Sequence, residues 1–414
     1  MEQIKENGWY KAIDYYVVLV FIILCAGSLS VLETSSELYV FLHIIFFQFL
    51  FFLRRRKYDR FFIYLILIWF FINVVSDVYN TLSVLSLNTF VGSVFRIYLS
   101  YLILKVVGFD FFYIFYKVAF VFVCISLCLY PILLFKPDIF INVPNIFRLF
   151  TQSQQRLAGG CYLIFYMFNA WAGIRNSGFM WEPGAYALML IFLLSYRFLH
   201  NEIKLDKHIL VLFVSLLTTM STAGYIAVFF IIIYYMLNNK VLFKNKIGFF
   251  IGLIFFLFFL YLSYYVYFSL DFMSNKIQAY IDSGTTVYQT EVMDNSFLRT
   301  SRYGYFLHVL DKTLIWPFGY GVVTPDYDIE RWNCKITGPN SFATLLQQWG
   351  VVLFMFFLKQ MLCFWELNKK NARNFLLFIA FCCCCFSNPF GGIRNIIFLV
   401  IFYPLIYRKK LITK

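Results

Sequence analysis

Residues 37–76 read ELYVFLHIIFFQFLFFLRRRKYDRFFIYLILIWFFINVVS. Two apolar runs, 37–53 and 61–76, flank one basic knot, Arg54-Arg55-Arg56-Lys57-Tyr58-Asp59-Arg60. A helix needs about 20 apolar residues to cross the hydrocarbon of a bilayer, and each run comes close to that. Neither run alternates polar with apolar, as the strand of a membrane barrel would. Lys and Arg accumulate in the cytoplasmic loops of membrane proteins. The stretch therefore predicts a pair of transmembrane helices joined on the cytoplasmic side.

The same pattern repeats in both directions. Apolar segments at 14–33, 37–53, 61–76, 85–107, 117–135, 184–200, 209–220, 223–238, 247–269, 341–359, 374–387 and 394–408 are expected to span. The pieces 209–220 and 223–238 are short and read as a bent pair meeting at Ser221–Gly224. Fixing the basic knot inside puts Lys204, Lys207, Lys240, Lys244, Lys246, Lys369, Lys370, Arg373 and the tail Arg408-Lys409-Lys410 on the same side. The loops 34–36, 77–84 and 388–393, which then fall outside, hold no Lys or Arg. The expectation is an all-α, polytopic transmembrane bundle of about 12 spans in a bacterial inner membrane. Both termini are cytoplasmic, and a long external loop lies between spans 9 and 10.

Composition agrees. The chain is 62% hydrophobic and 14% charged, with 55 Phe among 414 residues. Soluble domains are about half apolar and a quarter charged. The net charge of +14 sits in the inter-helix clusters, so it orients helices rather than binding nucleic acid. The N-terminus lacks a small-residue cleavage site, so the first helix is expected to remain as an anchor. Cys25, Cys124, Cys128, Cys363 and Cys382 to Cys385 lie in or beside apolar runs and read as small packing residues. Cys161 and Cys334 fall outside and are candidates for one disulfide. No His stands at ligand spacing to them, so neither metal nor cofactor is expected.

The chain divides into five parts: N-terminal membrane helices (1–135), an external segment (136–183), central membrane helices (184–269), a large external loop (270–340) and C-terminal helices with a cytoplasmic tail (341–414). In the second part, 146–150 is expected to lie on the interface, and 161–173, too short to span, to be re-entrant.

Chemistry is sought among the external cations. Arg148, Arg156, Arg175, Arg299, Arg302, Arg331 and Arg394 all fall outside, where short loops disfavour them. Arg148, Arg156 and Arg331, in long loops, read as solvated charges. Arg394 opens the last span after Asn388-Pro389-Phe390-Gly391-Gly392, a loop too short to excuse it. Arg299 and Arg302 would share a face of one helix, capped by Asn295 or Ser296. A guanidinium fork grips phosphate oxygens at two points and stays charged, so several on one membrane face point to an anionic lipid headgroup such as a pyrophosphate. Arg96 lies inside the fourth span. It is either functional or paired with Asp77. Glu182 precedes Pro183, a residue suited to the first helical turn. Its carboxylate either complements the helix dipole or faces a pocket where it accepts a proton from a sugar hydroxyl. His308 shares a helical face with Asp311, which reads as a structural contact or a base.

Four stretches together resemble the O-antigen polymerase and O-antigen ligase superfamily of bacterial envelope enzymes. They are Arg175…Gly178-Phe179…Glu182-Pro183-Gly184; Thr218-Thr219-Met220-Ser221-Thr222-Ala223-Gly224; Arg302…Pro317-Phe318-Gly319-Tyr320-Gly321; and Asn340-Ser341-Phe342…Gly350. Their order and the long external loop match, over roughly residues 165–360. The ligase branch tends to carry a His-Pro-Asn-like element where this chain has Glu182-Pro183-Gly184, and for the ligase's external-loop His only His308 is a candidate. Both departures favour the polymerase branch.

The resemblance implies a metal-independent glycosyltransferase that uses undecaprenyl-pyrophosphate-linked oligosaccharide as donor and acceptor. Glu182, Arg175 and Arg302 would be catalytic. Arg299, Arg394 and Arg96 would hold the pyrophosphate, with His308 and Asn340 in support. Membrane lipid and a chain-length regulator are the further partners it implies. The alternatives are an O-antigen ligase acting on lipid A core and, in a different class, a lipid-linked oligosaccharide flippase. A nearly charge-free core and a long external loop argue against transport.

Overall fold

The computed structural model describes residues 8–26, 37–79, 87–136, 139, 161–163, 166–168, 173–200, 206–238, 261, 297–299, 302–322, 335–337, 340–366 and 372–412. In chain order these form α1 (Gly8–Ala26), α2 (Glu37–Leu53), α3 (Arg60–Tyr79), α4 (Leu87–Val107), α5 (Phe111–Phe135), β1 (Cys161–Leu163), β2 (Tyr166–Phe168), α6 (Pro183–His200), α7 (Lys207–Thr218), α8 (Thr222–Asn238), β3 (Phe297–Arg299), α9 (Arg302–Ile315), β4 (Lys335–Thr337), α10 (Ser341–Glu366), α11 (Asn374–Ser387) and α12 (Phe390–Ile412). The architecture is a helical bundle with two short strand pairs, β1–β2 antiparallel and β3–β4 parallel. Helices lie on every expected span except 247–269, which falls outside the described residues apart from Tyr261. Phe90–Val107, Phe111–Phe135 and Ser341–Trp365 are long and apolar enough to cross a membrane by length and composition.

The basic loops meet at one end of the bundle. Arg54 donates to the Asp14 carboxylate at 2.6 Å and to the Val106 carbonyl at 2.7 Å, tying together the start of α1 and the ends of α2 and α4. Lys105 bridges to Asp59 at 2.9 Å. Arg197 pairs with Asp206, whose side chain also caps α7 by accepting from Ile209 N at 2.9 Å. Arg373 reaches the Leu237 carbonyl at 2.9 Å. The remaining helix ends, around residues 173–183, 218–222, 302, 340 and 387–390, lie at the opposite end. Asn238 and Arg302 are thus at opposite ends of the bundle.

Aromatic packing fills the core. Phe112 contacts Phe192, Phe364 and Tyr403 from three other helices, and Trp69 stacks on Trp349 at 4.2 Å. Residues 185–196 of α6 are buried on every side, the mark of a helix with no solvent face. By contrast α2 and α3 turn large apolar side chains outward, among them Phe49, Phe52, Tyr64, Leu67, Phe71 and Val78. An apolar face this extensive is not sustained in water, whereas lipid would accept it.

Two expectations are corrected. Residues 161–168 hold a strand pair rather than a re-entrant helix; Tyr166 is buried against Tyr130 and Leu133 of α5, and Met167 N donates to the Gly178 carbonyl at 2.6 Å. Arg299 and Arg302 do not share a helix: Arg299 ends β3, paired with Thr337, and α9 begins only at Arg302. Within the expected external segment 270–340, residues 302–322 pack on the bundle. Tyr305 and Val309 of α9 pack on Ala343 and Leu346 of α10.

The turn after α9 then plugs into α10. Tyr320 N and Gly321 N donate to the carbonyls of Gln347 and Gln348 at 2.7 and 3.0 Å, and Val351 N donates to the Pro317 carbonyl at 3.0 Å. These partners become free because α10 breaks at Gly350, which has φ 71° and ψ 173°. That region is essentially restricted to glycine. From α3, Asn73 Oδ1 accepts from Val322 N at 2.8 Å. At 1.5 Å per residue, the plug sits about 9 Å or more below the start of α10.

The expected interfacial segment 146–150, the solvated Arg148, Arg156 and Arg331, the caps Asn295 and Ser296, and Cys334 with its proposed disulfide lie outside the described residues.

Candidate functional site

The end opposite the basic loops carries the site. Its first wall is the loop before α6, fixed by Asn176. The Asn176 amide donates to Thr218 Oγ1 at 2.9 Å, and its oxygen accepts from Gly178 N at 2.8 Å and Ser126 Oγ at 3.1 Å. Its backbone N–H reaches the Thr218 carbonyl at 3.0 Å. All three groups on a fully buried side chain and its backbone are thus satisfied, which holds the preceding residue rigidly. That residue is Arg175, and its Nε donates to the Thr219 carbonyl at 3.3 Å.

The α7–α8 turn that receives these bonds is itself constrained. Met220 has φ 47°, a left-handed conformation that costs a side-chain-bearing residue energy. Gly224 follows because α8 runs close to α6: an added Cβ would stand 2.9 Å from that of Ala187.

Pro183 is the first residue of α6, so Glu182 stands at its N-cap, and the Glu182 carbonyl accepts from Tyr186 N at 3.1 Å. Arg302 is the first residue of α9. Its carbonyl accepts from Asn340 Nδ2 at 3.0 Å, while Asn340 Oδ1 caps α10 through Phe342 N at 3.0 Å and Ala343 N at 3.1 Å. Asn340 thus couples the starts of two helices.

These groups meet electrostatically. Burial pushes the Arg175 guanidinium below its ordinary range; Glu182 raises it, Arg302 lowers it again, and Tyr225 raises it. Glu182 and Arg302, both half-buried, thus lie within electrostatic range of the half-buried Arg175. The starts of α6, α9 and α10 add their positive partial charges at the same end of the bundle. A cation at a helix N-terminus is electrostatically disfavoured, so placing Arg302 there makes sense when an anion is to be held.

Other expected site residues stand elsewhere. Arg394 lies in the second turn of α12, 8% exposed, with Nη1 3.4 Å from Ser93 Oγ and its guanidinium 5.9 Å from the centre of the Phe390 ring. Arg96 is half-buried one turn beyond Ser93 on α4. These two belong to the α4–α12 seam, and neither is among the charges acting on Arg175. The side chains of Asp77 and Arg299 lie outside the described residues. His308 is half-buried and Asp311 exposed, one turn apart on α9.

No protein-family model, curated protein or solved structure matches this chain. Its geometry must therefore carry the functional argument. The four stretches singled out in the sequence are adjacent in space: the first joins the second through Asn176 and Thr218, the third joins the fourth through Arg302 and Asn340, and Asn388 bonds both Gly184 of the first and Ser341 of the fourth.

Sequence reasoning missed Asn73, Asn176, Tyr225 and Asn388. Asn73 had one legible signal, as a lone amide in an apolar run. The buried Asn388 side chain donates to the carbonyls of Cys384 at 2.7 Å and Gly184 at 3.3 Å, while the Asn388 backbone carbonyl accepts from Ser341 Oγ at 2.6 Å. It knots α6, α10 and α11 together immediately beneath Glu182.

Proposed function

We propose that this chain polymerises undecaprenyl-pyrophosphate-linked oligosaccharide repeat units into O-antigen or a related surface polysaccharide, as a bacterial inner-membrane protein of about 12 spans. The basic loops face the cytoplasm in this reading, which puts the Arg175–Arg302 end at the periplasmic face, where lipid-linked repeat units are displayed. The observation that supports the proposal is that Arg175, held by its Nε bond to the Thr219 carbonyl, lies within electrostatic range of both Glu182 and Arg302, each of which stands at the start of a helix.

The chemistry suits that trio. The donor is a glycan whose anomeric carbon is bonded to a pyrophosphate oxygen. An acceptor hydroxyl attacks that carbon, and the carbon–oxygen bond to pyrophosphate breaks. The bonding electrons leave with undecaprenyl pyrophosphate, and the hydroxyl proton passes to Glu182. Negative charge accumulates on the leaving oxygen as the bond breaks. Arg175, held by its Nε bond to the Thr219 carbonyl, and Arg302 stabilise that charge. Because pyrophosphate is a good leaving group, a carboxylate of ordinary strength suffices as proton acceptor.

Deleting the gene and running the surface glycan on a gel tests this. Polymerase loss leaves a single repeat unit on the lipid core. A ladder that vanishes with polymer retained on the carrier lipid would make the chain a ligase. Single units trapped on the cytoplasmic side would make it a flippase.

A further inference from the structure

The α9 helix reverses the pattern of a helix that faces water. Lys312 and Thr313 are turned inward, 0% and 2% exposed, whereas Leu314 is 79% exposed. Lysine is almost never fully buried in a water-soluble surface helix, and a large apolar side chain is the one expected inside.

The outward face of α9 divides into two stripes. Tyr303, Leu307, Leu310 and Leu314 stand at i, i+4, i+7 and i+11 and follow one line along the helix. Tyr303, Leu310 and Leu314 are exposed, and Leu307 is half-buried. Gly304, His308 and Asp311, each one residue further on, follow a second line about 100° around the axis. Asp311 is exposed, and Gly304 and His308 are half-buried. One stripe is apolar and the other polar. A helix lying where hydrocarbon meets water needs that division.

The apolar stripe continues past the end of α9. Phe318, in the turn, is 64% exposed. Its neighbour Pro317 is bonded to Val351 of α10, and Val322 is bonded to Asn73 of α3. Val352 and Met355 on α10, and Phe70, Phe71 and Val74 on α3, are exposed as well. The turn therefore lies level with the apolar face that the bundle shows to its surroundings, and the α9 stripe runs into that face. A joined apolar surface of this kind marks a contact with a partner or a membrane, and its continuity with α3 and α10 selects the membrane.

We infer that α9 and its turn seat in the bilayer interface at the Arg175–Arg302 end. Tyr303, Leu310, Leu314 and Phe318 enter the hydrocarbon of the near leaflet, and the Asp311 stripe stays in water. The partner is the acyl-chain layer of the phospholipid bilayer. Arg302, the first residue of α9, is thereby carried at the edge of the headgroup layer, the depth at which a lipid-linked phosphate lies. The inference rests on the membrane part of the reading above and not on polymerisation.

The test adds single cysteines to the full-length chain at Asp311, Leu314 and Phe318. Membranes opened by freeze–thaw are treated with a membrane-impermeant maleimide, so sidedness plays no part, and labelling above the wild-type background is scored. All three positions are exposed, so the substitutions remove little packing. Asp311→Cys is expected to label readily. Leu314→Cys and Phe318→Cys should label at least about tenfold more slowly, because maleimide attacks the thiolate, and apolar surroundings that raise a thiol's pKa by one unit cut the thiolate tenfold. After SDS all three should label alike. Equal labelling at the three positions before SDS overturns the inference, and so does an Asp311→Cys that stays unlabelled. Leu314→Asp gives a second reading: a charge is costly in hydrocarbon and harmless in water, so it should lower the melting temperature in nanodiscs, and an unchanged melting temperature overturns the inference too. A chain that does not sediment with membranes removes the membrane reading and this inference with it. A chain that labels as expected yet makes no polymer supports the inference and removes only the polymerase reading.

Discussion

Replacing Gly350 by alanine should pull the α9 plug out of α10. The cost can be worked from the geometry. At φ 71° and ψ 173° the residue occupies backbone space that a side-chain-bearing residue enters only at about 1–3 kcal/mol. The new Cβ would lie 2.3 Å from the Pro317 carbonyl oxygen, 2.5 Å from Phe318 C and 2.7 Å from Gly319 N. All three are backbone atoms, so no rotamer change relieves the clash and the turn must move. Moving it breaks the bonds from Tyr320 N, Gly321 N and Val351 N, each worth about 1 kcal/mol. The total, about 5 kcal/mol, exceeds the strain alone. Gly108→Ala supplies the control: it also has positive φ, 95°, but its Cβ would meet only Arg56 Nη2 at 3.5 Å. Trypsin reports the outcome, because Lys312 on α9 is 0% exposed. Cleavage after Lys312 and loss of surface polymer are expected for Gly350→Ala and not for Gly108→Ala. A Gly350→Ala protein whose Lys312 stays resistant and whose glycan ladder is normal would refute the plug as the element that holds α9 against α10.

Other perturbations have definite outcomes. Arg175→Ala and Arg302→Ala should each abolish polymer while the protein remains in the membrane at normal abundance, read by immunoblot and glycan gel. Arg394→Ala should also lose polymer but melt earlier than the wild type, since it removes a buried α4–α12 contact, whereas Ser93→Ala costs only about 1 kcal/mol. Asn73→Ala removes the acceptor for Val322 N and the donor to the Trp69 carbonyl; it should destabilise by about 1–3 kcal/mol in a detergent-unfolding assay. Trp349→Ala empties the stack with Trp69 and should cost about 3–5 kcal/mol in the same assay.

Helix positions were largely written in the chain, because crossing length and loop charge are one-dimensional properties. The basic knot 54–60 alone predicted which helix ends gather, and the bonds of Arg54 to α1 and α4 agree with that grouping. Pro183 located the start of α6 for a local reason, its lack of an N–H. What stayed hidden depends on pairs of residues distant in sequence. Pro317-Phe318-Gly319 was picked out only as part of a motif; that Gly350 opens α10 to receive it is signalled by neither half. Arg299 looked helical from spacing to Arg302, but β4, some 36 residues on, draws it into a strand. The candidate site was half legible. Charge in unexpected places exposed Arg175 and Arg302, while Arg394 looked equivalent and instead faces Ser93. The amides Asn176, Asn340 and Asn388, which hold the site, carry no charge anomaly; only Asn340 was picked out, through a motif. Their roles arise from burial and from which carbonyls they meet.

The most direct measurement is the product balance of purified protein in proteoliposomes given only lipid-linked repeat unit. The account predicts polymer on the carrier lipid, with one undecaprenyl pyrophosphate released for each linkage formed, and silence from Arg175→Ala and Arg302→Ala. Polymer of normal length from both arginine variants, or linkages formed without release of undecaprenyl pyrophosphate, would contradict it.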